Sequence, residues 1–139
     1  YESMEHYVFK DFTSNSLTGL TNIRAIEQNV DGESVRWAAN RLSMRQEERK
    51  IMIVLSDGQP AANSHNGILC DDLKKTVKKV AKAGIEIIGI GITTDAVKRF
   101  YPDYVVVNDL ESLPRQALNK LVKIIDNVSR ETFHIFITT

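Results

Sequence analysis

The sequence predicts an α/β fold, with helices layered on both faces of a mostly parallel sheet. Three observations predict it. Ile51-Met52-Ile53-Val54-Leu55 is an unbroken apolar run, as a strand buried on both faces requires. Ile85-Glu86-Ile87-Ile88-Gly89-Ile90-Gly91-Ile92 is a second central-strand segment further along the chain. Around these runs the apolar period changes to that of helices, so strand, helix, strand, helix, strand and helix follow in turn.

The elements can be justified in order. His6-Tyr7-Val8-Phe9-Lys10-Asp11-Phe12 is aromatic and β-branched, which suits a short strand. Residues 13–30 mix Ser, Thr, Asn and Gly and predict a long loop with one helical turn near Asn22 to Glu27. Val35, Ala38, Ala39 and Leu42 fall at i, i+3, i+4 and i+7, one face of a helix that begins near Gly32. Asp31 stands at the expected N-cap, with Glu33 in the first turn to suit the macrodipole. Arg36, Asn40, Arg41 and Arg45 take the outer face, and a polar link leads to the strand from Lys50.

Ser56-Asp57-Gly58-Gln59-Pro60 stops that strand with a turn signal. A polar loop to Gly67 follows, then a helix over about Cys70 to Ala83 on Leu69, Leu73, Val77 and Val80. Asp71 and Asp72 are expected at its positive end. Lys74, Lys75, Lys78, Lys79 and Lys82 lie outside, and Gly84 ends it. After the strand 85–92, Thr93-Thr94-Asp95 opens a helical turn toward Tyr101. Pro102 breaks that turn, and Tyr104-Val105-Val106-Val107 forms a short strand. Asn108-Asp109 caps a last helix, about Leu110 to Asn127, on Leu113, Ala117, Leu118, Leu121 and Ile125. Residues 128–139 form a tail whose alternating Phe133, Ile135 and Ile137 suit an added edge strand.

The 139 residues fit one domain, 1–139. Eighteen basic residues balance eighteen acidic ones, so overall charge gives no pull toward nucleic acid or an anionic membrane. One cysteine, Cys70, excludes an internal disulfide and a multi-cysteine zinc site and suits a reducing, cytoplasmic setting. No apolar run nears the ~20 residues that span a bilayer.

Asp57 is the first candidate for chemistry. It falls at the carboxyl end of a central strand, where open α/β sheets place their ligand sites. It can hold a hard cation such as Mg²⁺, or it can merely stabilise its turn. Asp31 has the same two readings, metal ligand or helix cap, and Asn29 is a weaker candidate beside it. Ser56, Gly58, His65 and Thr93 are candidates for contact with a partner near that edge. Trp37 suits a partner anchor or packing beside the sheet. Gly89 and Gly91 suit close helix packing or clearance for a site. No His pair has metal-ligand spacing, and no P-loop or nucleophile–base pair is present.

Three segments taken together resemble a known family. They are Asn29-Val30-Asp31-Gly32-Glu33-Ser34-Val35-Arg36-Trp37-Ala38, Arg49 through Pro60, and Ile88-Gly89-Ile90-Gly91-Ile92 with Asp95-Ala96-Val97 and Tyr101. Their order and spacing resemble the von Willebrand factor A domain of the CobT-type subunit of aerobic cobaltochelatase, and of CobT-like proteins of bacteria and phages. The likeness runs from about Tyr7 to Asn127.

That resemblance implies a three-layer, Rossmann-like α/β/α domain with a metal-ion-dependent adhesion site above the sheet. In such a site Mg²⁺ is held by an Asp-x-Ser-x-Ser loop, a second loop that usually supplies Thr, and the Asp of a Ser-Asp-Gly turn. The last of these matches Asp57, and the second position matches Asn29 or Asp31 with the usual Thr absent. The first motif belongs to a strand that the alignment places before this chain, and Asp11-Phe12-Thr13-Ser14-Asn15-Ser16 does not substitute for it. The implied function is a non-catalytic protein–protein interaction module. It acts with an AAA+ ATPase and other chelatase subunits in cobalt insertion into a corrin precursor. The alternatives are a metal-dependent hydrolase or phosphotransferase using Asp57, and a structural protein whose lysine helix is the working surface.

Overall fold

The computed structural model describes residues 5–22, 30–58, 66–109, 111–125 and 134–137. Its core is a sheet of four parallel strands, β1 (Lys50–Ser56), β2 (Ile85–Ile92), β3 (Asp103–Val107) and β4 (His134–Ile137), in the order β3-β2-β1-β4. Helices α1 (Asp31–Ser43), α2 (Asn66–Lys82) and α3 (Leu113–Ile125) complete it. The expected α/β layering is present, and part of the tail does join the sheet as an edge strand. No helix among the described residues is long and apolar enough to cross a membrane.

Alternation along the strands sorts the core into two clusters. Met52 and Val54 of β1, with Ile85 and Ile87 of β2, face α1 and α2 through Val35, Leu42, Leu73 and Val77. Ile51, Ile53, Ile88 and Ile90 face the other way, where Leu113 at the start of α3 packs against them. Both faces of β1 and β2 are thus covered, which is why these strands read as continuous apolar runs. At the amino end of the pair, Arg49 grips Glu86 through two hydrogen bonds of 2.5 and 2.8 Å.

Several expectations need correction. Residues 6–12 form no strand. Two of their rings, His6 and Phe12, pack on α1 instead. His6 stacks on Trp37 at 4.5 Å between ring centroids, and Arg41 lies over both Trp37 and Phe12. An ion pair of 2.9 Å from Arg41 to Asp11 holds the segment down. Trp37 is therefore a packing residue, joined to the core from its half-buried position.

Asp31 is the first residue of α1, one position inside the expected cap. Val30 is the N-cap and makes no side-chain capping bond. Helix α2 begins at Asn66, earlier than expected, so Asp71 and Asp72 lie beyond its first turn. The last helix begins at Leu113 because Asp109 and Ser112 first close a turn, with the Ser112 N–H donating to Asp109 Oδ1 at 2.6 Å. Leu118, expected on its core face, is exposed. A 3₁₀ turn spans Thr18–Asn22, while the helical turn expected near Asn22 to Glu27 falls almost wholly outside the described residues. Residues 23–29 lie outside the described residues.

Candidate functional site

Parallel pairing places Ser56 opposite Gly91 and ends β1 and β2 at one carboxyl edge. Asp57 follows directly from that edge and is exposed. Its turn is built by Ser56, whose hydroxyl is buried at 4% exposure, donates to the Gly58 carbonyl at 2.8 Å and accepts from the Gly58 N–H at 3.4 Å. Ser56 thus shapes the turn that presents Asp57, leaving Asp57 and Gly58 as its outward groups.

Helix α1 brings Asp31 to the same edge. The short link after Ser43 returns the chain to the start of β1, so α1 runs back along the strand with its first turn toward the strand's carboxyl end. Asp31 is only 1% exposed there. A carboxylate in the first turn suits the positive end of the helix dipole, which offsets part of the cost of burying it. Gly32 explains how the turn fits. A Cβ at Gly32 would lie 2.1 Å from Asp72 Oδ2 of α2, so glycine leaves the room in which the Asp72 carboxylate sits.

Asp72 in turn accepts two bonds from Arg36 Nη1, at 2.8 and 2.9 Å. The same nitrogen donates to Thr76 Oγ1 at 2.8 Å, and Arg36 Nη2 donates to Glu33 at 2.8 Å. The hydrogen bond that Arg36 donates to Asp72, followed by that to Glu33, raises the guanidinium pKa above its ordinary value. This clamp fixes α1 to α2 and, through them, Asp31 to the sheet.

The two glycines of β2 lie on the α1/α2 face, and each is an approach point. At Gly89 a Cβ would sit 2.4 Å from the Tyr101 ring. At Gly91 it would sit 2.2 Å from the Thr94 carbonyl oxygen and 2.9 Å from Val97. The clearance is thus filled by the segment after β2, which includes the short 3₁₀ turn Ala96–Arg99, not by α1 or α2. Tyr101 is 4% exposed and its hydroxyl has no hydrogen-bond partner among the described residues. Burial pushes its phenol pKa up from 10.0, and the nearby Asp31 charge pushes it further.

Thr93 stands exposed at the end of β2 in the left-handed region, at φ 56°, with its N–H donating to Val107 O at 2.7 Å. Asn29 and His65 lie outside the described residues. Among the described residues no group of three or more His, Cys, Asp or Glu is gathered as a metal site. The two carboxylates at the edge are hard oxygen donors. They suit Mg²⁺, which commonly takes one or two protein carboxylates and keeps several waters. The residue that sequence reasoning had not tied to the site is Tyr101. Its signal was Gly89, whose missing side chain called for a partner.

A layered α/β domain with a carboxylate at the end of its central strand is an architecture that von Willebrand factor A-type domains share with other open-sheet folds. Comparison narrows this. The family described as "Cobalamin biosynthesis protein CobT VWA domain" matches residues 14–127, and the chain belongs to that family. A curated relative, the uncharacterized protein YojO of Bacillus subtilis (strain 168), is 35% identical over 74 residues. That stretch covers 52% of this chain and 11% of the relative, so the chain spans a small part of that protein's length. No solved structure matches the chain.

Proposed function

We propose that this domain is a non-catalytic interaction module of a CobT-like protein working beside an AAA+ ATPase. In this reading Asp57 and Asp31 contribute to a Mg²⁺ site, with Asn29 as a further oxygen donor. The bound ion would supply an open coordination position for an Asp or Glu of the partner. Gly58, His65 and Thr93 would contribute to the partner contact, with Ser56 acting through the turn. By family membership the assembly serves cobalt insertion into a corrin precursor, with cobalt as its substrate.

The observation that carries the reading is the pair of carboxylates brought to one sheet edge by two different elements. Asp57 comes on a turn shaped by the Ser56 hydroxyl, and Asp31 on a helix clamped by Arg36 and Asp72. The exposure of Asp57 suits an ion that keeps much of its water.

Isothermal titration of the full-length protein with Mg²⁺, wild type beside Asp57→Ala, tests it. Wild type should bind and the variant should lose binding. Because Asp57 is exposed, its removal should change stability by no more than about 0.5 kcal/mol. Equal Mg²⁺ binding by both proteins rejects the metal role.

A further inference from the structure

We propose that the outer face of α2 is a docking surface for an acidic, extended segment of a partner polypeptide, whose alternate carboxylates meet Lys74, Lys78 and Lys82 in turn. This surface lies on a different element from the Asp57 turn and needs no Mg²⁺.

Charge is shared out unevenly on the domain. Arg36, Arg41, Arg45 and Arg49 are each paired with a carboxylate, and Lys98 reaches Asp95 at 3.7 Å. Lys74, Lys75, Lys78, Lys79 and Lys82 form no ion pair among the described residues. Asp71 stands one turn before Lys75, and still no ion pair joins them. Lys74 is half-buried and the other four lysines are exposed, while Leu73, Val77 and Val80 turn the opposite side of the helix into the core.

Such a face works against its own helix. Like charges at i and i+4 repel, and Lys74–Lys78, Lys75–Lys79 and Lys78–Lys82 are all pairs of this kind. The negative end of the helix dipole suits Lys79 and Lys82 in the last turn, but it does not account for Lys74, Lys75 or Lys78. Solubility alone does not ask for one sign, since interspersed charges serve it as well. The repulsion is relieved only from outside, by an anionic partner.

Two further observations define that partner. The Lys74 ammonium lies 6.0 Å from the centre of the Phe100 ring, and the Arg99 guanidinium lies 5.8 Å from the same ring. Cations from two elements thus gather beside one aromatic side chain and extend the lysine row past the helix. Phe100 itself is buried, so it offers no platform on which a nucleic-acid base could stack. The second observation is spacing. Lysines at i and i+4 advance about 6 Å along a helix. Side chains on one face of an extended chain recur every ~6.5 Å. A segment with Asp or Glu at every second position therefore meets Lys74, Lys78 and Lys82 in register. The domain's zero net charge gives no long-range pull on a phosphate backbone, whereas a short acidic segment needs only the local row.

Fluorescence anisotropy on the full-length protein tests this. The probe is a fluorescein-labelled peptide of alternating Glu and Ser, about ten residues long. A labelled DNA duplex of random sequence is titrated in parallel. Lys75→Gln/Lys78→Gln breaks every i, i+4 lysine pair, and Lys10→Gln/Lys123→Gln removes the same charge from exposed positions elsewhere. Wild type should bind the peptide, more weakly as salt rises to about 0.15 M. The α2 variant should lose about threefold or more in affinity, and the control variant should not. The α2 variant should also keep or raise its urea midpoint, because repulsion is relieved. No peptide binding by wild type, or equal weakening in both variants, overturns the docking surface. Tighter binding of DNA than of peptide through the same lysines assigns the face to nucleic acid and overturns the polypeptide. Salt-sensitive self-association without peptide, abolished in the same variant, assigns the face to a second copy and overturns it equally. A lowered midpoint shows that the lysines serve the fold, and it overturns their assignment to a partner.

Discussion

Replacing Gly89 with alanine should destabilise the domain by about 1–2 kcal/mol, although alanine is ordinarily the more favourable residue. The new methyl would meet Tyr101 Cδ2 at 2.4 Å, Cγ at 2.5 Å and Cβ at 3.1 Å. Carbon atoms rest at about 3.5–4.0 Å, so roughly 1 Å must be opened. A flexible side-chain tip would yield cheaply, but these atoms are the root of a buried ring. The strand cannot retreat either, because β2 is paired on both sides. Overpacking of this kind costs about 1–3 kcal/mol. Relief of the glycine's backbone entropy returns about 0.5–1 kcal/mol, which leaves the net figure above. Urea unfolding followed by far-UV circular dichroism reads it directly. Gly67 in α2 is the control, since a Cβ there meets nothing within 4 Å, and Gly67→Ala should leave stability unchanged or slightly higher. If Gly89→Ala is as stable as wild type, the notch is not what seats Tyr101.

The other predictions concern the clamp and the phenol. Arg36→Ala should cost about 1–2 kcal/mol in thermal or urea unfolding. The ion pairs are discounted because the Arg36 side chain is 42% exposed, but the buried Thr76 hydroxyl loses its donor. Added salt should narrow the difference from wild type only in part; a gap that closes completely would show that surface charge alone accounts for it. The folded protein holds the Tyr101 phenol above its ordinary value of 10.0, so the protonated form is favoured by folding. That contribution is complete below pH 10 and is lost as pH rises beyond it. The stability of wild type relative to Tyr101→Phe should therefore fall above pH 10, by up to about 1.4 kcal/mol per pH unit. A difference that stays flat between pH 8 and 11 would contradict the burial argument.

Much of the frame was legible because burial on two faces leaves an unmistakable mark. Ile51 to Leu55 and Ile85 to Ile92 announce central strands by apolarity alone, and the turn at Ser56-Asp57-Gly58 announces the edge. What escaped was set by contacts between distant residues. His6 to Phe12 carries strand-forming residues, yet His6 and Phe12 find Trp37 and Arg41 on α1 and Arg45 just beyond it, and the segment enters no ladder. Asp72 suggested a helix start by its charge, whereas in the fold it is the acceptor of Arg36. Gly32 and Gly89 were visible as glycines, but their purposes, Asp72 and Tyr101, lie on other elements. The carboxylates of the site could be read from the chain. The residues that hold them needed the fold.

The strand that carries Asp57 owes one of its two neighbours to a segment from the far end of the chain. β4 pairs with β1 from Met52↔His134 to Leu55↔Ile137, whereas β2 follows β1 after a single helix. Local order therefore favours β3, β2 and β1 first, and among the described residues the opposite edge of β1 is met by a contact of long sequence separation, slow to form. Until it does, β1 offers a row of unpaired backbone groups beside its most apolar residues, the kind of edge that recruits foreign strands. Losing the last strand would thus be felt first as aggregation during folding, with the exposed edge lying along the segment that delivers the site's outermost carboxylate.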